Sequence, residues 1–156
     1  NLAGHHLQLG SVEVSVLPDL ADDTIVCDGD QIVQALLALM INAVEAMPEG
    51  GQLTLRTAPG ESDPERQVLL AVEDTGSGIP EAIRGRIFDP FFSTKAETSG
   101  VGLGLAVVYG IISRHGGTIR VESRPERGTT FLIELPLEPV TAPPSTYELD
   151  INEWRT

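Results

Sequence analysis

The sequence predicts an α+β fold, a two-layer α/β sandwich in which a mixed sheet carries about three helices on one face. Three observations lead there. Short segments in which apolar and polar residues alternate recur along the chain, as at Val12, Val14 and Val16, and mark half-buried strands. Two longer stretches, Gln31 to Met47 and Ala106 to Ile112, carry apolar residues at helical spacing. The last two alternating segments, Thr118 to Ser123 and Thr129 to Leu135, are joined by the turn Pro125-Glu126-Arg127-Gly128 and read as a hairpin, so the sheet is at least partly antiparallel.

Taken in order, Asn1 to Gly10 (with its LAGHHLQL core) is expected to be the end of an upstream helical segment or a linker. Ser11 to Leu17 is the first expected strand, stopped by Pro18, and Thr24 to Cys27 a shorter second one. Asp28 and Asp30 offer capping carboxylates to the first helix, which Pro48, Gly50 and Gly51 end. That helix is apolar on most sides, so Asn42 stands out: a mid-helix Asn costs propensity and, if buried, needs partners. Gly51 to Thr57 and Gln67 to Glu73 are further strands around a polar loop, Pro59 to Arg66. The second delivers the chain into Asp74-Thr75-Gly76-Ser77-Gly78-Ile79-Pro80, and Pro80 opens a short helix to about Arg84.

Ile87 to Phe92 contains three of the four phenylalanines, and Ser93 to Ser99 is small, polar and charged like a surface loop that moves. Gly116 and Gly117 stop the last helix. From Pro136 the pattern dissolves into Pro-rich, acidic sequence. The expected organisation is therefore a domain over residues 11–137 and a tail or linker over 138–156, with Trp154 available to dock back.

Composition narrows the function. A chain of 156 residues with 41% hydrophobic content can build one sizeable core. A formal net charge of −13 argues against a nucleic-acid surface, and requires an anionic ligand to be captured by local donors and a divalent cation. The single cysteine, Cys27, cannot form an internal disulfide, and His5, His6 and His115 show no zinc-ligand spacing. No apolar run is long enough to span a membrane. The expectation is a soluble piece in a reducing, cytoplasmic setting, either free or as the cytoplasmic part of a membrane-anchored protein, without membrane contact of its own.

The run Gly100-Val101-Gly102-Leu103-Gly104-Leu105 feeds directly into a helix. Glycines let a ligand approach the backbone N–H groups, and the unpaired donors of a helix start suit a phosphate. Alone the run is weak evidence. It lacks the third glycine of a dinucleotide fingerprint, which would stand at Leu105, and the Gly-Lys-Ser/Thr ending of a P-loop.

Four stretches nonetheless line up: an Asn in a mostly buried helix, Asp-x-Gly-x-Gly after a strand, a Phe-rich segment, and the glycine run. In this order they resemble the catalytic ATP-binding domain of sensor histidine kinases, in the superfamily of gyrase, the heat-shock chaperone and the mismatch-repair ATPases. LMINAVEAM (Leu39 to Met47) is similar to that family's N box, DTGSGIP to its G1 box, IFDPFFSTK (Ile87 to Lys95) to its F box and GVGLGLAVVYGI (Gly100 to Ile111) to its G2 box. The resemblance spans roughly Val12 to Leu137.

The resemblance implies a Bergerat-type ATP-binding fold, ATP with Mg²⁺, and phosphoryl transfer to a histidine. By similarity Asp74 reads the adenine amino group, Gly76, Gly78 and Ile79 line the purine, and Thr129 supports the adenine contact through water. Asn42 matches the Mg²⁺ ligand; Glu45, one turn on, fits either a water-holding role or a solvated helix charge. Lys95 would reach the phosphates from the loop, and Gly100, Val101, Gly102, Leu103, Gly104 and Leu105 would cradle them. Ser93 to Ser99 is expected to close over nucleotide, with Phe88, Phe91 and Phe92 fastening its base to the core.

Two departures accompany the match. Ala38, one turn before Asn42, stands where the family often has a polar residue, and an alanine cannot act as a general base, so self-contained ATP hydrolysis is not expected. No His-Glu/Asp acceptor segment is present: His5-His6 runs into Leu7-Gln8 and His115 precedes Gly116. The acceptor histidine is therefore expected upstream, in a dimerisation domain of the same protein, with a response regulator as the next acceptor. Two alternatives remain open at this point: a degenerate nucleotide-sensing module without transferase activity, and a serine kinase of the anti-sigma type on the same fold.

Overall fold

The computed structural model describes residues 5–20, 25–90, 92 and 104–138. Six strands and three helices are described: β1 (His5–Leu9), β2 (Val12–Pro18), α1 (Gly29–Glu45), β3 (Gly51–Pro59), β4 (Gln67–Asp74), α2 (Glu81–Arg84), α3 (Gly104–Arg114), β5 (Thr118–Ser123) and β6 (Thr129–Pro136). The strands form one sheet in the order β1-β2-β3-β4-β6-β5. Among the described strands only β2 and β3 run parallel, with α1 as the crossover between them; the other pairs are antiparallel. This is the expected α+β fold with a mixed sheet.

α1 and α3 pack against each other and on one face of the sheet. Ile32, Ala35, Leu39 and Ala43 recur every three or four residues and put one flank of α1 into the core, where Val108, Ile111 and Ile112 of α3 join them. The sheet answers with Val12, Val14, Leu53, Val68, Val72, Phe131, Ile133 and Leu135, the residues its two-residue repeat turns to that side. The single turn α2 buries none of its residues. On the opposite face Leu69, Ala71 and Leu132 form a small cluster beside the buried Glu134, whose carboxylate accepts from Glu61 N–H and Ser62 Oγ, both at 2.9 Å. Among the described residues no helix is long and apolar enough to cross a membrane.

Two expectations need correction. His5–Leu9 is a strand, not the end of a helix: it pairs antiparallel with β2, Leu9 opposite Val12, across the two-residue turn Gly10-Ser11 with Gly10 at φ +62°. Glycine takes that φ without strain, so the turn folds the chain straight back. Ile25 to Cys27 is not in a strand; among the described residues its backbone bond to the sheet's end is Val26 N–H to Leu137 O at 3.1 Å, and Thr24 lies outside them. The expected tail beyond Glu138, with Trp154, lies outside the described residues.

His115 sits between the two large helices. Its Nδ1 bonds Ile111 O at 2.7 Å, and its Nε2 accepts from Asp28 N–H at 3.1 Å. Both ring nitrogens are engaged in structure, which ties the end of α3 to the N-cap of α1.

Candidate functional site

Among the described residues one aspartate is buried. Asp74, the last residue of β4, is 4% exposed and stands opposite Leu53 of β3 and Thr129 of β6. Its Oδ1 accepts from Gly76 N–H at 2.8 Å, and Thr129 N–H also donates to the carboxylate. Burial pushes its pKa above the ordinary 3.8; the two N–H donors pull the other way and neighbouring Glu73 adds to the rise. A carboxyl group whose folded pKa is raised contributes most to stability below its unfolded value, and loses that contribution as pH rises through the folded one. Asn cannot lose a proton. The ligand-free Asp74→Asn protein is therefore expected to gain thermal stability relative to the wild type as pH is raised from 4 towards 7 (about the span above the unfolded pKa), measured by melting both proteins across that range.

Asp74 opens a loop held on two sides. Towards the end of α1, Ser77 N–H donates to Ala46 O at 3.3 Å, and at the start of β3 Gln52 N–H donates to Thr75 Oγ1 at 3.0 Å. Towards the β5–β6 turn, Glu126 N–H donates to Ser77 O at 2.7 Å. The spacing of the two glycines follows from those supports. A Cβ on Gly76 would lie 2.6 Å from Ala46 O and 2.9 Å from Asp74 Oδ1, and a Cβ on Gly78, at φ +75°, would meet the Arg124 carbonyl well inside van der Waals contact. Ile79 is half-buried against the core, its O accepting from Arg84 Nη2 at 3.3 Å.

The opposite wall comes from the hairpin. Thr129 is 5% exposed and Ser123, its partner across the β5–β6 pair, 8%. Ser123 Oγ accepts from Ile79 N–H at 2.7 Å, contacts Thr129 Oγ1 at 2.9 Å and donates to Gly128 O at 3.0 Å. Gly128, at φ +89°, lets the turn lie directly on the Asp74 carbonyl. Neither Ser123 nor Gly128 stands out as a site residue in the sequence. The turn signal around Gly128 is legible; the role of Ser123 depends on a loop 44 residues away.

Asn42 lies half-buried near the end of α1; its backbone O accepts from Ala46 N–H, one turn from the atom that supports the Asp74 loop. Glu45 is the exposed last residue of that helix. A carboxylate there opposes the helix dipole and is slightly unfavourable for the helix itself. Ala38, one turn earlier, packs against the core. The described residues contain no group of three His, Cys, Asp or Glu that could hold a metal ion. A single amide oxygen is the kind of donor that Mg²⁺ accepts when water and a ligand's oxygens complete its shell.

The Phe-rich segment packs as expected where it is described. Phe88 lies 5.6 Å from the Tyr109 ring of α3 and 6.3 Å from Phe131 of β6, and Arg86 stacks over Phe92 at 4.7 Å. Gly104 is the exposed first residue of α3, with open space where a side chain would stand, and Leu105 packs on the core. Lys95, Gly100, Val101, Gly102 and Leu103, together with Phe91 and the Ser93 to Ser99 loop, lie outside the described residues. The fold thus brings Asp74, Gly76, Gly78 and Ile79 together on one loop beside Thr129, with the C-terminal end of α1 against that loop.

The family model for histidine kinase-, DNA gyrase B- and HSP90-like ATPases matches residues 27–139. The sensor kinase CckA of Brucella abortus (strain 2308) is 48% identical over 120 residues, which cover 70% of this chain and 13% of that protein. The chain spans only 13 to 30% of the length of such curated relatives. Among solved structures, the nucleotide-free catalytic domain of the histidine kinase ThkA superposes with a TM-score of 0.71 at 34% identity, covering 83% of this chain and 82% of that one. A structure of ThkA in complex with the response regulator protein TrrA matches at 31% identity and a TM-score of 0.68, covering 84% of this chain and 36% of that one.

Proposed function

Because this chain belongs to the histidine kinase-, DNA gyrase B- and HSP90-like ATPase family, we propose that it is the ATP-binding catalytic domain of a sensor histidine kinase. The observation that carries this reading is Asp74: a buried carboxylate at the end of β4, on a loop whose two glycines let the backbone lie against Ala46 O and the Arg124 carbonyl. Its oxygens accept, so they suit the amino group of adenine and repel the carbonyl that guanine presents at the same position. A site built on a substrate N–H can discriminate by as much as about 10⁴ to 10⁵.

The remaining roles follow from the chain's own groups. Thr129 supports the purine beside Asp74. Asn42 offers a neutral amide oxygen for Mg²⁺, and Glu45, one turn on, either holds a water or the Asn amide or is a solvated helix charge. When bound, Mg²⁺ offsets phosphate charge and orients the triphosphate. Lys95 brings a point charge to the transferring group, and the backbone donors from Gly100 to Leu105 receive the phosphates. The family resemblance and the position of Gly104 at the helix start support that assignment.

The γ-phosphoryl group passes to an imidazole nitrogen as its bond to ADP breaks. His115 is not that acceptor, because both of its nitrogens are engaged. The acceptor belongs to a dimerisation domain of the same protein, and a response regulator takes the group next, as the likeness to ThkA supports. Use of ATP as the phosphoryl donor supports a cytoplasmic setting for the domain. Full-length protein incubated with γ-labelled ATP and Mg²⁺ is expected to carry label that acid releases and alkali does not. Acid-stable label, the signature of a phosphoester, would contradict the proposal.

A further inference from the structure

We infer that Ser123 is a positioning residue for purine recognition: its hydroxyl joins the two walls of the pocket and leaves the Thr129 oxygen able only to accept hydrogen bonds. The inference rests on the ATP reading of the pocket. A serine hydroxyl has one hydrogen and two lone pairs. Around Ser123 Oγ stand three partners: Ile79 N–H at 2.7 Å, Gly128 O at 3.0 Å and Thr129 Oγ1 at 2.9 Å. Ile79 N–H can only donate and occupies one lone pair. Gly128 O can only accept and takes the single hydrogen; its second lone pair faces the longer contact from Arg124 N–H at 3.4 Å. Of the two donor assignments open to the Ser123–Thr129 contact, the one that keeps all three bonds of Ser123 Oγ has the Thr129 hydroxyl donating to its second lone pair.

That orientation fixes the polarity of the pocket. With its hydrogen turned towards Ser123, Thr129 shows the ligand only lone pairs, next to a carboxylate that also only accepts. Adenine's amino group, directly or through a water, satisfies two such acceptors; a purine carbonyl at that position satisfies neither. With Ser123 and Thr129 at 8% and 5% exposure, bulk water cannot readily substitute for the missing partner. Without the Ser123 oxygen the Thr129 hydroxyl is free to rotate and donate, and Ile79 N–H loses its acceptor, which loosens the loop that carries Gly78.

The test is nucleotide binding by Ser123→Ala, Ser123→Thr, Thr129→Val and the double variant S123A/T129V, with folding checked by circular dichroism. Ser123→Ala is expected to bind ATP roughly tenfold more weakly and to lose roughly tenfold of its preference for ATP over GTP, the effect of one or two buried hydrogen bonds. Ser123→Thr, which keeps the hydroxyl, retains the preference. In the Thr129→Val background, where no hydroxyl remains to rotate, Ser123→Ala should leave the ATP-to-GTP ratio unchanged. Wild-type protein that binds ATP while Ser123→Ala keeps both affinity and preference would overturn the inference and leave the ATP reading standing. The inference fails in the same way if Ser123→Ala shifts the ratio equally in both backgrounds, or weakens ATP with no shift in either. Wild-type protein that binds no nucleotide overturns the ATP reading, and this inference with it.

Discussion

Asp74→Asn is expected to weaken ATP binding by at least about 100-fold while the domain stays folded, the scale of losing a charged acceptor buried opposite a substrate N–H. The fold survives because the Asn oxygen can still accept from Gly76 N–H, the bond that Asp74 Oδ1 makes at 2.8 Å. Binding fails because the Asn amide brings two hydrogens into a position that receives N–H groups from Thr129 and the ligand. The opposing signs make the result diagnostic. Loss of ligand affinity accompanied by a ligand-free stability that gains on the wild type as pH rises is what a functional carboxylate held against its burial cost produces. Equilibrium titration with ATP and Mg²⁺, beside thermal melts without ligand, measures both.

The second large effect is at Gly128. Its φ of +89° lies where an L side chain is strained, and an added Cβ would meet the Asp74 carbonyl and the Thr75 backbone, none of which is a flexible side-chain end. Gly128→Ala is expected to cost about 3 kcal/mol or more, lowering the melting temperature by roughly 10 °C, and to displace Asp74. The control is Gly110, inside α3 with open space around the missing Cβ. Gly110→Ala should stabilise by about 0.5 to 1 kcal/mol, because alanine restricts the unfolded chain and favours the helix. Two Gly→Ala changes of opposite sign in one domain separate backbone strain from general intolerance.

Much of the fold is legible in the sequence because its signals are local. The N-cap of α1 reads correctly from Asp28, whose carboxylate accepts from Gln31 N–H at 3.2 Å; β2, β3, β5 and β6 read from their alternation and β4 from its short apolar run. β1 is harder, since five residues containing Leu7 and Leu9 do not separate a strand from a helix end; the informative signal is Gly10-Ser11, a two-residue hairpin turn before an alternating run. The apolar run ending at Cys27 suggests a strand, yet strands exist only where a neighbour offers a ladder. At the site, Asp74, Gly76 and Gly78 are visible because their spacing is a motif within one loop. Ser123 is not, for the reason that a hydroxyl at a strand end is ordinary until the loop from Asp74 to Pro80 is brought against it.

The measurement that bears most directly on the central claim is a calorimetric titration of the wild-type protein with ATP and, separately, GTP in the presence of Mg²⁺. A carboxylate selecting the purine, with backbone donors receiving the phosphates, predicts saturable heat with ATP and none with GTP at the same concentrations. Equal uptake of both nucleotides, or of neither at millimolar levels, would contradict it.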